Sequence, residues 1–318
     1  MRTSFSTQLL AFLLCFAAAL PSALADESFY DVPAPGRLVD LGGYKLHINC
    51  QGTGSPAVIL DAGLGDWSTH WTTVQNLLKA DTQVCSYDRA GYGWSDPGPR
   101  LRDSQRIVAE LHSLLELAAI KPPYLLVGHS FGGLNMRLFA GTYAQEVVGL
   151  VLVDASHPDS LPYLRNEEGT APSTAPANLL IVVHYVQPEE TNFPPEAQPA
   201  MHDDLLHTKS MVTSRGEYRA LAYSVKELQK AAPIGNLPLT VLSRGKREWP
   251  EGADGDAREN SWHDEQIDLT RLSSQSRHVI AAKSGHHIHL DEPELVADAV
   301  REMLAEVRKD SAPAKEAQ

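Results

Sequence analysis

Between residues 57 and 154, short apolar runs alternate with amphipathic stretches, and few folds accept that order. "AVILDAG", "TQVCSYD", "PYLLVG" and "VGLVLVD" read as buried strands. Between them lie "DWSTHWTTVQNLLKA", with Trp71, Val74, Leu77 and Leu78 at helical spacing, and "DSQRIVAELHSLLELAAI". The latter puts Ile107, Val108, Leu111, Leu114, Leu115 and Ala118 on one face and has Asp103 or Ser104 as its cap. "LNMRLFAGTYAQ" completes the alternation as a third helix. Such a pattern predicts a mostly parallel sheet covered by helices on both faces. Ahead of it, "GRLVDLG" and "YKLHINC" read as the arms of an opening hairpin.

The pattern breaks after about Ala155. Up to Asn236 the sole strand-like run is "LLIVVHYV", set among Pro-rich turns and two helical stretches, roughly 197–212 and 215–231. About 80 residues is too long for a structureless loop, so 156–236 reads as a helical cap inserted between the sixth and seventh strands. "LPLTVLSRG", "SRHVIAAKSG" and the amphipathic "PELVADAVREMLAEVRK" then close a core made of 26–155 and 237–309. Residues 310–318 have the composition of a disordered tail.

At the other end, Arg2 precedes an apolar run from Leu9 to Leu20, and Ala23-Leu24-Ala25 fits a small-x-small cleavage pattern. Residues 1–25 therefore read as a secretory signal, too short in its apolar part to span a bilayer. The expected location is secreted or periplasmic, with no membrane span after cleavage. Removing this segment takes away one base and no acid, making the net charge one unit more negative than −13. So acidic a chain is a poor partner for nucleic acid or an anionic membrane. Of three cysteines, Cys50 and Cys85 would remain, an even number in an oxidising compartment, which invites a disulfide.

The chemistry centres on Gly128-His129-Ser130-Phe131-Gly132. It is the one G-x-S-x-G of the chain, since Pro97 spoils "GYGWSDPG", and it lies between a buried strand and a helix. A turn that tight lifts the serine outward, and glycines on either side remove Cβ atoms that would clash. Serine needs a base. His286 follows Ser284-Gly285 at the end of the last strand, on a loop able to reach the same sheet edge. His287 and His289 lie close by, but with no H-E-x-x-H motif the cluster does not read as a metal site. His129 abuts the serine in a tight turn and reads as packing. An oxyanion needs donors, and the backbone N–H groups of Leu64, in "LDAGLGDWS", and of Phe131 suit.

With these stretches assembled, the chain resembles the α/β-hydrolase superfamily, and more closely its secreted bacterial serine hydrolases of the esterase-like branch. The likeness rests on Ala62–Gly65, Tyr87–Pro99, Val127–Gly133, Leu150–Pro158 and Ser284–Val296 and covers nearly the whole mature chain apart from cap and tail. It implies the α/β-hydrolase fold with eight strands in the order 1-2-4-3-5-6-7-8, a Ser–acid–His triad and no cofactor. That order makes the strands of Cys50 and Cys85 neighbours, which makes a bridge between them a concrete expectation. Ser130 and His286 carry over by motif position. The acid usually follows strand seven as G-x-x-D. Here Gly245-Lys246-Arg247-Glu248 stands there, followed by Glu251, Asp254 and Asp256, so Glu248 is taken first. Asp154, at the end of strand six, is ranked second.

Asp88 and Arg89 are expected to brace the elbow, and Asp291 and Pro293 to start the last helix. Trp67, Trp71, Tyr163, Met201 and Met211 are candidates for an acyl pocket, though core packing is the first expectation for each. The expected partner is a small-molecule acyl substrate, a carboxylic ester above all. An aminopeptidase would need acids such as Glu189, Glu190, Asp203 and Asp204 to hold a free amine. A binding protein on the same scaffold would need a broken triad.

Overall fold

The computed structural model describes residues 32–160 and 193–310. The proposed leader, the run "LLIVVHYV", Tyr163, Glu189, Glu190 and residues 311–318 lie outside them. Eight strands run in chain order: β1 (Arg37–Asp40), β2 (Lys45–Gln51), β3 (Ala57–Asp61), β4 (Val84–Tyr87), β5 (Tyr124–His129), β6 (Val147–Val153), β7 (Leu239–Arg244) and β8 (Ser276–Ala281). The helices are α1 (Thr72–Leu78), α2 (Ser104–Leu117), α3 (Phe131–Thr142), α4 (Gln198–Met201), α5 (Asp204–Lys230), α6 (Ala253–Thr270), α7 (Ile288–Asp291) and α8 (Pro293–Asp310).

The strands form one sheet in the order β1-β2-β4-β3-β5-β6-β7-β8. β2 pairs antiparallel with β1 and β4, and every pairing from β4 to β8 is parallel. This is the α/β-hydrolase sheet. Side chains alternate across it, as the period of two requires. Ile59, Leu126, Leu150 and Leu152 join one apolar layer, whereas Val58, Leu60, Leu125, Val127, Val151 and Val153 join the other. The first layer is closed by α2 and α3, through Ile107, Leu111, Leu115, Leu134 and Phe139. The second is closed by α1 and α8, through Val74, Leu78, Val296, Val300 and Leu304, with Trp71 just ahead of α1. Asp103 caps α2, accepting from the backbone N–H of Arg106 at 2.9 Å.

Cys50 and Cys85 face each other across β2 and β4 and form a disulfide. Among the described residues no helix is long and apolar enough to cross a membrane.

Two helices differ from the sequence reading. Where two stretches with a break near residue 213 are expected, α5 runs unbroken over 27 residues. Its buried stripe passes through Leu206, Ser210, Ser214, Glu217, Ala220, Leu221, Ser224, Val225 and Leu228, so serines and a glutamate interrupt the apolar inward face, most of all between residues 210 and 217. An apolar count misses a stripe of that kind. The other is α6, which has no counterpart in the apolar pattern, because it buries only Gln266 and Leu269.

Candidate active site

The strand β5 ends at His129, and α3 begins at Phe131. Ser130 between them has φ 51° and ψ −119°, a strained backbone for a residue with a Cβ. Three glycines make the turn possible. A Cβ on Gly128 would lie 2.5 Å from the carbonyl oxygen of Gly132. One on Gly132 would strike the carbonyl of Asp61 and lie 2.7 Å from that of Ala62, and one on Gly133 would strike the side chain of Ala155. The elbow is therefore pressed against the end of β3 and Ala155, two residues past β6. Two backbone bonds hold it there: Ser130 N–H donates to Val153 O at 3.2 Å, and Ser156 N–H donates to Ser130 O at 3.0 Å.

Ser130 Oγ is 3.0 Å from His286 Nε2. The other ring nitrogen, Nδ1, is 2.6 Å from Asp154 Oδ2. A hydroxyl, an imidazole and a carboxylate thus stand in line, drawn from β5, from the loop after β8 and from the end of β6. With Asp154 accepting from Nδ1–H, Nε2 carries the lone pair and faces the hydroxyl. The side chain of His286 is 27% exposed, open enough for a substrate to reach, whereas Asp154 is fully buried.

Here the structure corrects the assignment of the acid. Glu248 does not touch the imidazole. Its Oε1 accepts the backbone N–H of His286 at 2.8 Å, and it sits so close to Gly285 that a Cβ there would strike it. Glu248 shapes the loop, and Asp154 orients the ring. The G-x-x-D spacing after β7 puts a carboxylate near the histidine, but the Nδ1 edge of the ring is already covered from β6. Glu251, Asp254 and Asp256 lie in or just before the first turn of α6, where Asp256 pairs with Arg247 at 2.5 Å.

Asp154 is heavily supplied with donors. Oδ1 accepts from the backbone N–H of Arg244 and from Trp262 Nε1, both at 3.0 Å, and Oδ2 also accepts from Arg244 Nη1 at 3.1 Å. Burial pushes its carboxyl pKa up. The bond and charge of His286, the charge of Arg244 and the bond from Trp262 outweigh that and hold it below its usual 3.8. Arg244 is fixed in turn by Glu259 at 3.1 Å and packs against the rings of Trp249 and Trp262, 4.8 and 4.9 Å from their centroids. Glu259 and Trp262 belong to α6, the helix that apolar periodicity overlooks. The strand-end position of Arg244, beside that of Asp154 across β6 and β7, is the signal that could have found this support.

Leu64 lies in the loop after β3 and Phe131 opens α3, where the first N–H groups have no intrahelical acceptor. That loop is clamped from outside the sheet. Arg89 donates to the carbonyls of Ala62 and Gly63 at 2.6 and 2.7 Å and pairs with Asp61 at 2.8 Å. It also pairs with Glu217 of α5 through two bonds of 2.9 and 3.1 Å. Tyr92 donates to Glu217 at 2.7 Å and accepts from Gly65 N–H at 3.3 Å. Asp88 takes the backbone N–H groups of Ser68 and Trp94. Both residues are braces, though of the loop after β3 and the segments of Ser68 and Trp94 rather than of the elbow that the sequence suggests. Trp67, Trp71 and Met201 are buried packing residues, and Met211 is exposed. Asp203 caps α5 through the N–H of Leu206. Asp291 holds the N–H of Gly285, and Pro293 begins α8.

His129 points away from the serine hydroxyl and into a buried group of rings. Its Nε2 meets the carbonyl oxygen of His286 at 3.0 Å. Burial lowers its pKa to about 4. Asp66, His70, His287 and His289 surround it.

The model of the alpha/beta hydrolase family matches residues 57–299. The uncharacterized Bacillus subtilis protein YqjL is 30% identical over 264 residues, which are 83% of this chain and 89% of that protein. Among solved structures, a thermophilic esterase from Thermogutta terrifontis superposes with a TM-score of 0.56 at 20% identity, covering 86% of this chain and 99% of its own. A Vigna radiata epoxide hydrolase mutant superposes with a TM-score of 0.64 at 14% identity, covering 85% and 98%. At those identities the two structures speak for the fold.

Proposed function

The chain belongs to the alpha/beta hydrolase family, and from that premise we propose that it is a serine hydrolase acting on carboxylic esters through an acyl-enzyme. The observation that carries this reading is the line Ser130 Oγ, His286, Asp154, with contacts of 3.0 and 2.6 Å. In the proposed reaction Ser130 Oγ attacks the acyl carbonyl while His286 Nε2 takes its proton. Asp154 stabilises the imidazolium that forms. The oxyanion of the tetrahedral intermediate is received by the N–H groups of Phe131 and Leu64, and such donors matter because they are already oriented before charge develops. His286 returns the proton to the leaving alcohol. Water then attacks the acyl-enzyme with His286 again as base, and Ser130 is regenerated. Apart from substrate and water, each step of this scheme draws on groups of this chain, and the substrate class it proposes is a small acyl compound.

A serine at the elbow favours this chemistry over an epoxide opening, which in this reading would need a carboxylate nucleophile there. The reading includes export, supported by the leader pattern of residues 1–25 and by the Cys50–Cys85 bridge.

The test is labelling with a fluorophosphonate probe, together with turnover of p-nitrophenyl esters and of aminoacyl anilides. Labelling and ester turnover that both vanish in Ser130→Ala, with anilides untouched, support the esterase. Anilide turnover instead would make the protein a peptidase, and folded wild type that takes no label would make it a binding protein.

A further inference from the structure

Behind the catalytic histidine lies a second polar cluster that ester hydrolysis does not use. Asp66 comes from the loop after β3, His129 from the end of β5 and His289 from α7. All three are buried, and one ligand-type atom of each lies within 4.8 Å of the other two.

The hydrogen bonds at its edge decide what faces inward. His129 Nε2 meets the carbonyl oxygen of His286 at 3.0 Å. A carbonyl only accepts, so Nε2 carries the proton and Nδ1 of the neutral ring presents a lone pair. That nitrogen lies 3.6 Å from Asp66 Oδ2 and has no hydrogen-bond partner. Two acceptors therefore face each other in the interior. His289 is fully buried, with neither ring nitrogen partnered. Buried polar atoms are rarely left so. Gly63 keeps the space open: a Cβ there would lie 2.8 Å from His129 Nδ1 and 2.9 Å from Asp66 Oδ2.

We propose that Asp66, His129 and His289 bind one divalent transition-metal ion, of the zinc type, as a buried structural site. A positive ion between the donors removes the opposition of lone pairs. Two imidazoles and one carboxylate suit zinc or cobalt, whereas calcium and magnesium prefer oxygen throughout. A tetrahedral zinc shell puts neighbouring donor atoms roughly 3.3 Å apart, close to the 3.6 Å between His129 Nδ1 and Asp66 Oδ2. His287 Nε2, 3.5 Å from the same carboxylate oxygen, is in position to be the fourth ligand. The outer contacts are those that metal sites use to aim their ligands. The carbonyl of His286 holds His129, and His70 Nε2 holds Asp66 Oδ1 at 3.2 Å. The ion would tie together the loop of Leu64, the nucleophile strand and the loop of His286. Because its ligands are enclosed, its role is to hold these segments. Three separate stretches supply the donors, so no full spacing motif announces the site; its local traces are His287 and His289 two residues apart, and Asp66 with its support His70 four residues apart.

The test uses the whole mature protein, unfolded in denaturant with a chelator, refolded with zinc or with cobalt, and desalted against chelator. Elemental analysis is expected to find about one metal per chain. The cobalt form is expected to show the intense visible bands of a four-coordinate ion, and zinc refolding to raise the thermal midpoint. His289→Gln and Asp66→Asn, with folding checked by circular dichroism, are expected to drop below about a tenth of an equivalent. Wild type that refolds to the same midpoint without metal and retains none would overturn the proposal, as it would mean that a water or a proton sits there instead. So would variants that keep as much metal as wild type. If one variant fails to fold, the wild-type stoichiometry and the cobalt spectrum decide.

Discussion

Asp154 Oδ2 lies 2.6 Å from His286 Nδ1, joining the end of β6 to the loop after β8 across the strand between them. The carboxylate that orients the imidazole thus stands one strand earlier than the G-x-x-D position.

The first prediction separates the two acids. Asp154→Asn places an amide where the ring needs an acceptor, so the imidazole loses its tautomer control, and kcat on a p-nitrophenyl ester should fall about 10³–10⁴-fold. Glu248→Gln keeps an oxygen for the N–H of His286. A net loss of about 1 kcal/mol in loop positioning corresponds to roughly fivefold in rate. Steady-state kinetics on the two variants check this, and equal losses would return Glu248 to the triad.

Gly132→Ala tests the close packing of the elbow. The added methyl would strike the carbonyl of Asp61, and backbone cannot swing aside as a flexible side chain can. Overpacking of this sort destabilises by about 1–3 kcal/mol. A urea melt should show the loss, and because the same carbonyls lead into the loop of Leu64, kcat should fall with it. Unchanged stability and turnover would show that the turn has slack.

Glu217 is far from Ser130 in sequence, yet it holds the guanidinium that fixes the carbonyls of Ala62 and Gly63. Glu217→Ala leaves Arg89 buried with one carboxylate, Asp61, and should destabilise by about 3 kcal/mol in chemical denaturation. Tyr92→Phe removes the bond to Glu217 and the acceptor of the Gly65 N–H but leaves every charge paired, and should cost about 1–2 kcal/mol. Arg89→Lys should resemble the first more than the second, since an ammonium cannot reach two carboxylates and two carbonyls at once.

The buried pair of His47 and Asp88, 2.8 Å apart, makes a pH prediction. For Asp88, burial works upward, but His47 and the N–H of Ser68 outweigh it, and the carboxyl is held below 3.8. For His47, burial works downward, yet Asp88 and the carbonyl of Pro35 raise the imidazole above 6.5. The depressed acid contributes stability that is complete above 3.8 and lost as pH falls through its folded value. The raised histidine contributes stability that is complete below 6.5 and lost as pH rises through its folded value. The difference in thermal midpoint between wild type and Asp88→Asn should therefore be largest between about pH 4 and 6.5 and shrink on both sides. A difference that stays flat from pH 3 to pH 9 would show that the pair contributes only neutral hydrogen bonding.

Local pattern and tertiary placement divide the site between them. The elbow is legible because its requirements are local. A tight strand-to-helix turn needs glycines within two or three residues of Ser130, and the neighbours of Gly128, Gly132 and Gly133 show why. The strands are legible because burial on both faces demands continuous apolar runs, as at Val58–Leu60 and Leu125–Val127. Helix α5 is legible only in part, since serines and Glu217 occupy its buried stripe. Helix α6 is not legible, since it buries almost nothing apolar and its value lies in Trp262 and Glu259.

Local pattern by itself pointed to a mostly parallel sheet with its helical layers and to the candidate serine and histidine, since each rests on a periodicity or a turn that neighbouring residues impose, while the order of the eight strands followed from the resemblance to a known family. The tertiary structure alone decided which acid meets His286, what holds that acid, and which side chains gather behind it. Those relations join residues from distant parts of the chain, 132 positions apart for Asp154 and His286 and 90 for Asp154 and Arg244, where hydrogen-bond direction and burial, rather than spacing along the chain, choose the partner.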